Sequence, residues 1–230
     1  MPELLVEQAP GADSDVPAIV KPLLRGWSHA VSFVVVLILG LLLLALTSAA
    51  RGGRLALVVY LLGLLAMFGV SAMYHRGHWS PKALARWRKL DHSTIFLAIA
   101  GTYTPVAIVG LDGWRRATVL VVVWSGAALG IALQWIPVHV PRALSTAVYV
   151  VVGWSISIAL PQVFQGIGAV GFVLILAGGL AYTAGAVVYA LKRPDPWPAV
   201  FGYHEVFHLL TVVGAGLQLA AVAFIVSPML

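Results

Sequence analysis

The sequence contains no cysteine, and only 10% of its 230 residues are charged. Without cysteine, the chain can form neither disulfides nor thiolate metal sites. Soluble domains carry about 25% charged residues, so a chain with this little charge cannot face water over most of its surface. The lack of cysteine excludes a disulfide-stapled domain and a zinc–thiolate module, and the low charge argues against a large soluble core.

Apolar residues make up 61% of the chain and are gathered into long blocks. A membrane-spanning helix needs about 20 predominantly apolar residues. Seven blocks meet or nearly meet this length: 27–50, 55–74, 90–110, 116–136, 142–160, 167–191 and 201–226. The fifth is the weakest, because Pro141 and Pro161 confine it. The sequence therefore predicts an all-α membrane protein, a seven-transmembrane helix bundle over residues 25–230, preceded by a short, mobile cytoplasmic tail over residues 1–24.

The basic residues are distributed unequally between the two sides of this bundle. Ten of the 14 Lys and Arg residues fall on the side that carries the N-terminus, and four fall on the other side. The positive-inside rule then predicts a cytoplasmic N-terminus and an external C-terminus. Because the net charge of +6 lies in loops between apolar spans, membrane lipid rather than nucleic acid is the expected partner.

Polar residues at membrane depth are costly, so each requires an explanation. The second predicted helix ends on the cytoplasmic side with Ser71 and His75. The third begins there with Asp91, and the seventh begins there with His204 and His208. The orientation derived from loop charges thus brings all five residues to one membrane depth.

The spacing of these residues predicts a metal centre. His204 and His208 are four residues apart, so both imidazoles lie on one helix face and can reach one ion. His75 from a neighbouring helix would supply a third imidazole, and three protein ligands with an open position describe a catalytic zinc site. Asp91 is the predicted catalytic base that deprotonates the water, and Ser71 is expected to donate a hydrogen bond to water or substrate.

Two alternatives remain for the same residues. The stretch from His204 to His208 also matches the H-E-x-x-H pattern, in which Glu205 would be the general base. Glu205 is rotated about 100° from His204 around the helix, so we expect it to face away from the metal and assign the water to Asp91. A haem held between His75 and either of the other histidines also stays open, although Asp91 would then have no role.

Several motifs in the chain resemble the haemolysin III branch of the progestin and adipoQ receptor family. They are Trp27–His29, Ser71–His75, Leu90–Thr94 followed by Ala100–Pro105, and His204–His208. Each motif alone is weak, but together they extend over nearly the whole chain from Trp27 onward. These motifs include all five polar residues that the predicted topology brings to one membrane depth.

The resemblance implies a seven-helix fold with a zinc ion near the inner leaflet, held by His75, His204 and His208, with Asp91 and Ser71 beside it. The receptors of this family and the similar alkaline ceramidases are associated with hydrolysis of the ceramide amide bond. Bacterial members are linked to membrane lipid homeostasis. By this resemblance the protein is expected to be a multi-pass protein of a bacterial plasma membrane.

Two functional hypotheses from different classes follow. The first is a zinc-dependent, membrane-embedded hydrolase of a lipid amide or ester that contributes to lipid homeostasis. The second is a non-enzymatic sensor or regulator of the membrane, in which zinc only ties helices together and a lipid is a ligand. A pore or transporter ranks third, because the spans lack the scattered intramembrane charges expected of an ion path.

Overall fold

The computed structural model describes residues 21–47, 52–137 and 141–226, and this part of the chain is helical. Its seven α-helices are α1 Trp27–Leu46, α2 Gly53–Arg76, α3 Pro81–Gly110, α4 Gly113–Trp135, α5 Arg142–Gly153, α6 Leu160–Leu191 and α7 Tyr203–Val226. A short 3₁₀ helix, Ser155–Ala159, joins α5 to α6. No β-strand occurs in the described ranges, so the predicted all-α bundle is confirmed.

Six of these helices are long and apolar enough to cross a membrane. The exception is α5, which has 12 residues. At 1.5 Å per residue it extends about 18 Å, less than the hydrocarbon thickness of about 30 Å. The 3₁₀ helix continues its path, and together they occupy the place of the fifth predicted span. The span predicted as weakest is therefore the one that is not a continuous α-helix.

The helix α3 begins well before the predicted start of the third span. Pro81 occupies its first turn, and the hydroxyl of Ser80 accepts a hydrogen bond from the Ala83 N–H at 3.4 Å. Both are favourable features of a helix N-terminus. The expectation that the basic residues between the predicted spans 55–74 and 90–110 lie in a loop is therefore wrong for residues 82–89, which form the first turns of α3.

The helix α6 contains a break near its start. Gly168 has φ 72° and ψ 172°, which is not helical and lies in a region that favours glycine. The regular part of α6 therefore begins after Gly168, close to the predicted start of the sixth span. The residues before it form a short helical segment at the end of the bundle opposite the N-terminus.

The connectivity places the start of α1, the end of α2, the starts of α3 and α7, and the end of α6 at one end of the bundle. We call this the histidine end, after His29, His75, His204 and His208. Two buried apolar clusters hold the helices in register, one around Tyr60, Leu64 and Phe68 and the other around α3, α4 and α6. In a bilayer such packing acts through van der Waals contact rather than exclusion of water.

Candidate metal centre

Three imidazoles converge where the end of α2 meets the start of α7. His75 lies in the last turn of α2, His204 in the first turn of α7, and His208 one turn deeper. The Nε2 atoms of His75 and His204 are 3.2 Å apart, and one ring nitrogen from each of the three residues lies within 4.8 Å of the others. His75 and His208 are buried and His204 is half-buried. This group can hold a metal ion, and it comprises the three ligands that the sequence predicts.

The same geometry bears on the haem alternative. A haem takes its two axial ligands on opposite faces of the macrocycle. Ring nitrogens of His75 and His204 that are 3.2 Å apart leave no space for a porphyrin between them. Three nitrogens that converge on one point fit a single ion instead.

Side chains cap the start of α7 and so fix the position of its first histidine. The N–H of Gly202 donates to Glu205 Oε2 at 2.9 Å, and the N–H of Tyr203 donates to Asp195 Oδ1 at 2.7 Å. The first N–H groups of a helix have no partners within the helix, so such acceptors stabilise its start. His204 follows directly on this capped turn.

The second carboxylate oxygen of Glu205 is also occupied. Oε1 accepts a hydrogen bond from Arg25 Nε in an ion pair, and the Glu205 side chain is only 4% exposed. With Oε2 bound to Gly202, neither oxygen is directed at the three histidines. This geometry agrees with the lesser role that the sequence predicts for Glu205 and disfavours the H-E-x-x-H interpretation.

The segment that precedes α1 packs over the histidine group. Of the predicted tail, residues 1–20 lie outside the described residues, whereas Leu23 and Leu24 donate backbone N–H groups to carbonyls of the α6–α7 connection, each at 3.1 Å. Gly26 has φ 76°, and a Cβ on it would lie 2.8 Å from the Cβ of His75. Glycine therefore allows this segment to lie directly against a candidate ligand.

Asp91 and Ser71 lie beside the three histidines rather than among them. Ser71 is buried on α2, one turn deeper than His75, and it lines the same cavity as the three histidines. Asp91 is half-buried on α3 and lines the same cavity as the three histidines. The structure thus places the carboxylate where it can act on a molecule in the cavity.

A fourth histidine belongs to the cluster and was not identified from spacing. The ring of His29 on α1 stacks on that of His208, with centroids 3.9 Å apart and planes 19° apart, and it makes a T-shaped contact with the ring of Phe68. This stack restrains the ring plane of a candidate ligand. A single histidine near a helix start has no spacing pattern that predicts such a contact, and only the motif Trp27–His29 includes this residue.

A cavity of about 1250 Å³ extends from the histidine end into the bundle. Its deep end contains a polar pair, in which Thr102 Oγ1 donates to Gln218 Oε1 at 3.3 Å. Gln218 comes ten residues after His208 on α7, so it lies about 15 Å deeper along the helix. The walls between are largely apolar, with Ile99 and Ile175 among them. The cavity is therefore lined by polar residues at the histidine end and by largely apolar residues beneath them.

The fold and the site together define a class: a seven-helix, multi-pass membrane protein with a buried histidine group at one end of the bundle. The family model described as "Haemolysin-III related" matches residues 18–219. The chain thus belongs to the haemolysin III branch of the progestin and adipoQ receptor family, and the predicted resemblance is confirmed.

Individual relatives agree with this assignment. Hemolysin-3 of Bacillus cereus is 31% identical over 191 residues, which cover 82% of this chain and 84% of that protein. The Hemolysin-3 homolog of Bacillus subtilis (strain 168) is 35% identical over 59% of this chain and 61% of its own. Heptahelical transmembrane protein ADIPOR2 of Oryza sativa subsp. japonica is 30% identical over 72% of this chain and 79% of its own.

Proposed function

We propose that this protein is a zinc-dependent hydrolase that cleaves an amide or ester bond of a membrane lipid and so contributes to lipid homeostasis. The observation that carries the proposal is the position of the three histidines and Asp91 at the polar mouth of a cavity of lipid size. Histidines that only tied helices together would not need such a cavity beside them.

The donor set fits zinc. Tetrahedral zinc with Zn–N bonds of about 2.0–2.1 Å places its ligand nitrogens about 3.3 Å from one another. The nitrogens of His75 and His204 are 3.2 Å apart, and His208 completes the group. Three protein ligands leave a fourth position for water or substrate. When bound, zinc supplies a Lewis acid that polarises a carbonyl and makes a water molecule acidic enough to lose a proton near neutral pH.

The chain's own residues supply proton transfer and orientation. Asp91 accepts a proton from the attacking water, whose oxygen adds to the acyl carbon. As the carbon–nitrogen or carbon–oxygen bond breaks, Asp91 returns that proton to the leaving group, so the products are a fatty acid and an amine or alcohol. Ser71 lines the same cavity, and its hydroxyl donates a hydrogen bond that helps to position the water or the oxyanion.

The test combines zinc content with turnover in one set of variants. Purified protein is incubated with bacterial lipid extract in mixed micelles, and the released fatty acid and its partner product are measured by mass spectrometry. Asp91→Asn keeps the side-chain shape but removes the base, so we expect turnover to fall by about 100-fold or more while zinc stays near one equivalent. His208→Ala should lose zinc. Asp112→Asn, at the far end of the bundle, is the matched control and should retain both.

The same experiment separates the enzyme from the sensor. If no lipid is hydrolysed by the zinc-loaded protein, and a cellular phenotype still follows zinc occupancy in His208→Ala, the hydrolase proposal is wrong and the sensor is favoured. If Asp91→Asn turns over lipid as fast as the parent protein, Asp91 is not the base.

A further inference from the structure

The mouth of the cavity at the histidine end is strongly cationic. Its basic lining residues are Lys21, Arg25, Arg88, Lys89 and Lys192. Asp91 is the one acidic residue among the described lining residues. Glu205 neutralises Arg25, but Arg88 and Lys192 are exposed and have no carboxylate within ion-pair distance in the part of the chain that the structure describes. The mouth therefore carries positive charge that no carboxylate within the described ranges balances by an ion pair.

One of these basic residues, Arg88, lies on the same helix as the candidate catalytic carboxylate of Asp91. Arg88 comes three residues before Asp91 on α3, so the two share a helix face and are about 4.5 Å apart along the axis. Arg88 is the residue nearer the mouth. A lipid whose scissile bond lies at Asp91 would place its headgroup about one turn farther out, at the level of Arg88.

The general bias of basic residues toward this side of the membrane does not account for the cationic mouth. Lys82 and Arg86 lie on the same helix as Arg88 and are also exposed, yet neither lines the cavity. They satisfy the positive-inside rule equally well. The rule thus explains why basic residues are present, but not why Arg88 and Lys192 border the opening.

We propose that the lipid bound in this cavity has an anionic, phosphate-bearing headgroup, held at the mouth by Arg88 and Lys192. The inference rests on the proposed function and names its substrate class. A guanidinium forms paired hydrogen bonds with phosphate oxygens, and an ammonium adds a compact positive charge. A soluble phosphate ester has the same charge, but the apolar walls below Asp91, with Ile95 and Ile99 on α3, require an acyl chain.

Lipid retention on a variant that does not turn over tests this inference separately from hydrolysis. Asp91→Asn protein in detergent is mixed with equal amounts of phosphatidic acid and diacylglycerol that carry the same acyl chains, and the bound lipids are counted by native mass spectrometry. We expect phosphatidic acid to be retained about tenfold more than diacylglycerol, as two well-placed cations allow. Adding Arg88→Gln and Lys192→Gln should remove most of that preference.

Matched variants distinguish this site from general attraction to a basic surface. Lys82→Gln with Arg86→Gln removes the same amount of charge from the first turns of α3 and should leave the preference unchanged. Arg88→Lys with Lys192→Arg retains the charge and should keep the preference, which also shows that the two positions tolerate substitution.

Three outcomes would overturn the inference. The first is equal retention of the two lipids, and the second is an equal loss of preference in the control pair Lys82→Gln with Arg86→Gln. The third is displacement of phosphatidic acid by millimolar glycerol 3-phosphate, which would show a site for soluble phosphate esters. None of these depends on whether the parent protein hydrolyses lipid.

Discussion

At the scale of single residues, Glu205 shows how one side chain in a metal-site motif can have a structural role. Its position between His204 and His208 matches the pattern in which glutamate is the general base. In the structure its two oxygens bind Arg25 and the N–H of Gly202. It therefore joins the segment before α1 to the first turn of α7. That turn carries the candidate metal ligand His204, so the ion pair helps to position this ligand.

A double-mutant cycle on Arg25 and Glu205 tests this role. Arg25→Gln and Glu205→Gln should each lower the thermal midpoint of the purified protein, because each leaves a largely buried charge without its partner. The double variant should lose less than the sum, with a coupling of about 1–3 kcal/mol. We expect zinc content to stay near one equivalent and turnover to fall by less than about tenfold, since neither side chain contacts the reacting atoms.

The exposed pair Asp112 with Arg116 is the control for this cycle. It is also an ion pair, at 3.0 Å, but it joins the N-cap residue of α4 to a residue one turn later, and both side chains are in contact with solvent. Exposed pairs of this kind contribute little, so its cycle should show no appreciable coupling. A loss of turnover in Glu205→Gln with unchanged thermal stability and zinc would instead identify Glu205 as the base and reverse the roles assigned to it and Asp91.

The residues of the candidate site differ in how far the sequence could predict them. The i, i+4 spacing brings His204 and His208 together within one helix, and membrane depth adds His75. The stack of His29 on His208 could not be predicted, because it depends on how α1 and α7 are rotated toward each other. The pairing of Arg25 with Glu205, 180 residues apart, likewise follows from tertiary packing and has no local sequence pattern.

At the scale of helices, the break between α5 and the 3₁₀ helix needs a partner for its free backbone groups. A helix end within a membrane leaves carbonyls that water cannot reach, and unsatisfied groups there are costly. The hydroxyl of Tyr103 on α3 donates to the carbonyl of Gly153, the last residue of α5. The indole of Trp154 donates to Thr183 Oγ1 on α6 at 3.0 Å. Neighbouring helices therefore stabilise the interrupted fifth span.

Removal of the Tyr103 hydroxyl should destabilise the bundle. Tyr103→Phe leaves the Gly153 carbonyl without this donor, and we expect a loss of about 1–3 kcal/mol in the free energy of unfolding, measured by denaturation in detergent. Tyr60→Phe is the matched control. Its hydroxyl is also buried but has no hydrogen-bond partner in the described part of the chain, so its removal should be neutral or stabilising. Equal effects of the two variants would contradict this account of the break.

The helix boundaries likewise depend partly on the local sequence and partly on contacts with other helices. Ser80 at the N-cap and Pro81 in the first turn are local features that stabilise the start of α3 ahead of the charged residues 82–89. These charges are compatible with a helix that extends beyond the apolar core into the headgroup layer. The break at the end of α5, by contrast, has only the single Gly153 as a local signal, with neither a proline nor a second glycine beside it. Its stability depends on Tyr103 and Thr183, which belong to other helices.

At the scale of the whole molecule, orientation decides which leaflet the histidine end faces. The bundle has seven helices in sequence, so its termini lie on opposite sides only if the interrupted fifth span crosses fully. The excess of basic residues on the N-terminal side predicts that the histidine end is cytoplasmic. Any lipid that enters the cavity would then come from the inner leaflet.

The absence of cysteine makes this orientation directly measurable with single cysteines. Lys82→Cys and Asp195→Cys lie at the histidine end, and Arg115→Cys and Gln165→Cys at the opposite end, all at exposed positions. With a membrane-impermeant maleimide on intact spheroplasts, we expect the second pair to be labelled at once and the first pair only after permeabilisation. The reverse pattern would place the histidine end outside and the cavity in the outer leaflet. If Gln165→Cys were protected while Arg115→Cys reacted, α5 and the 3₁₀ helix would not cross the membrane, because these two positions are separated by α4 and the interrupted span alone.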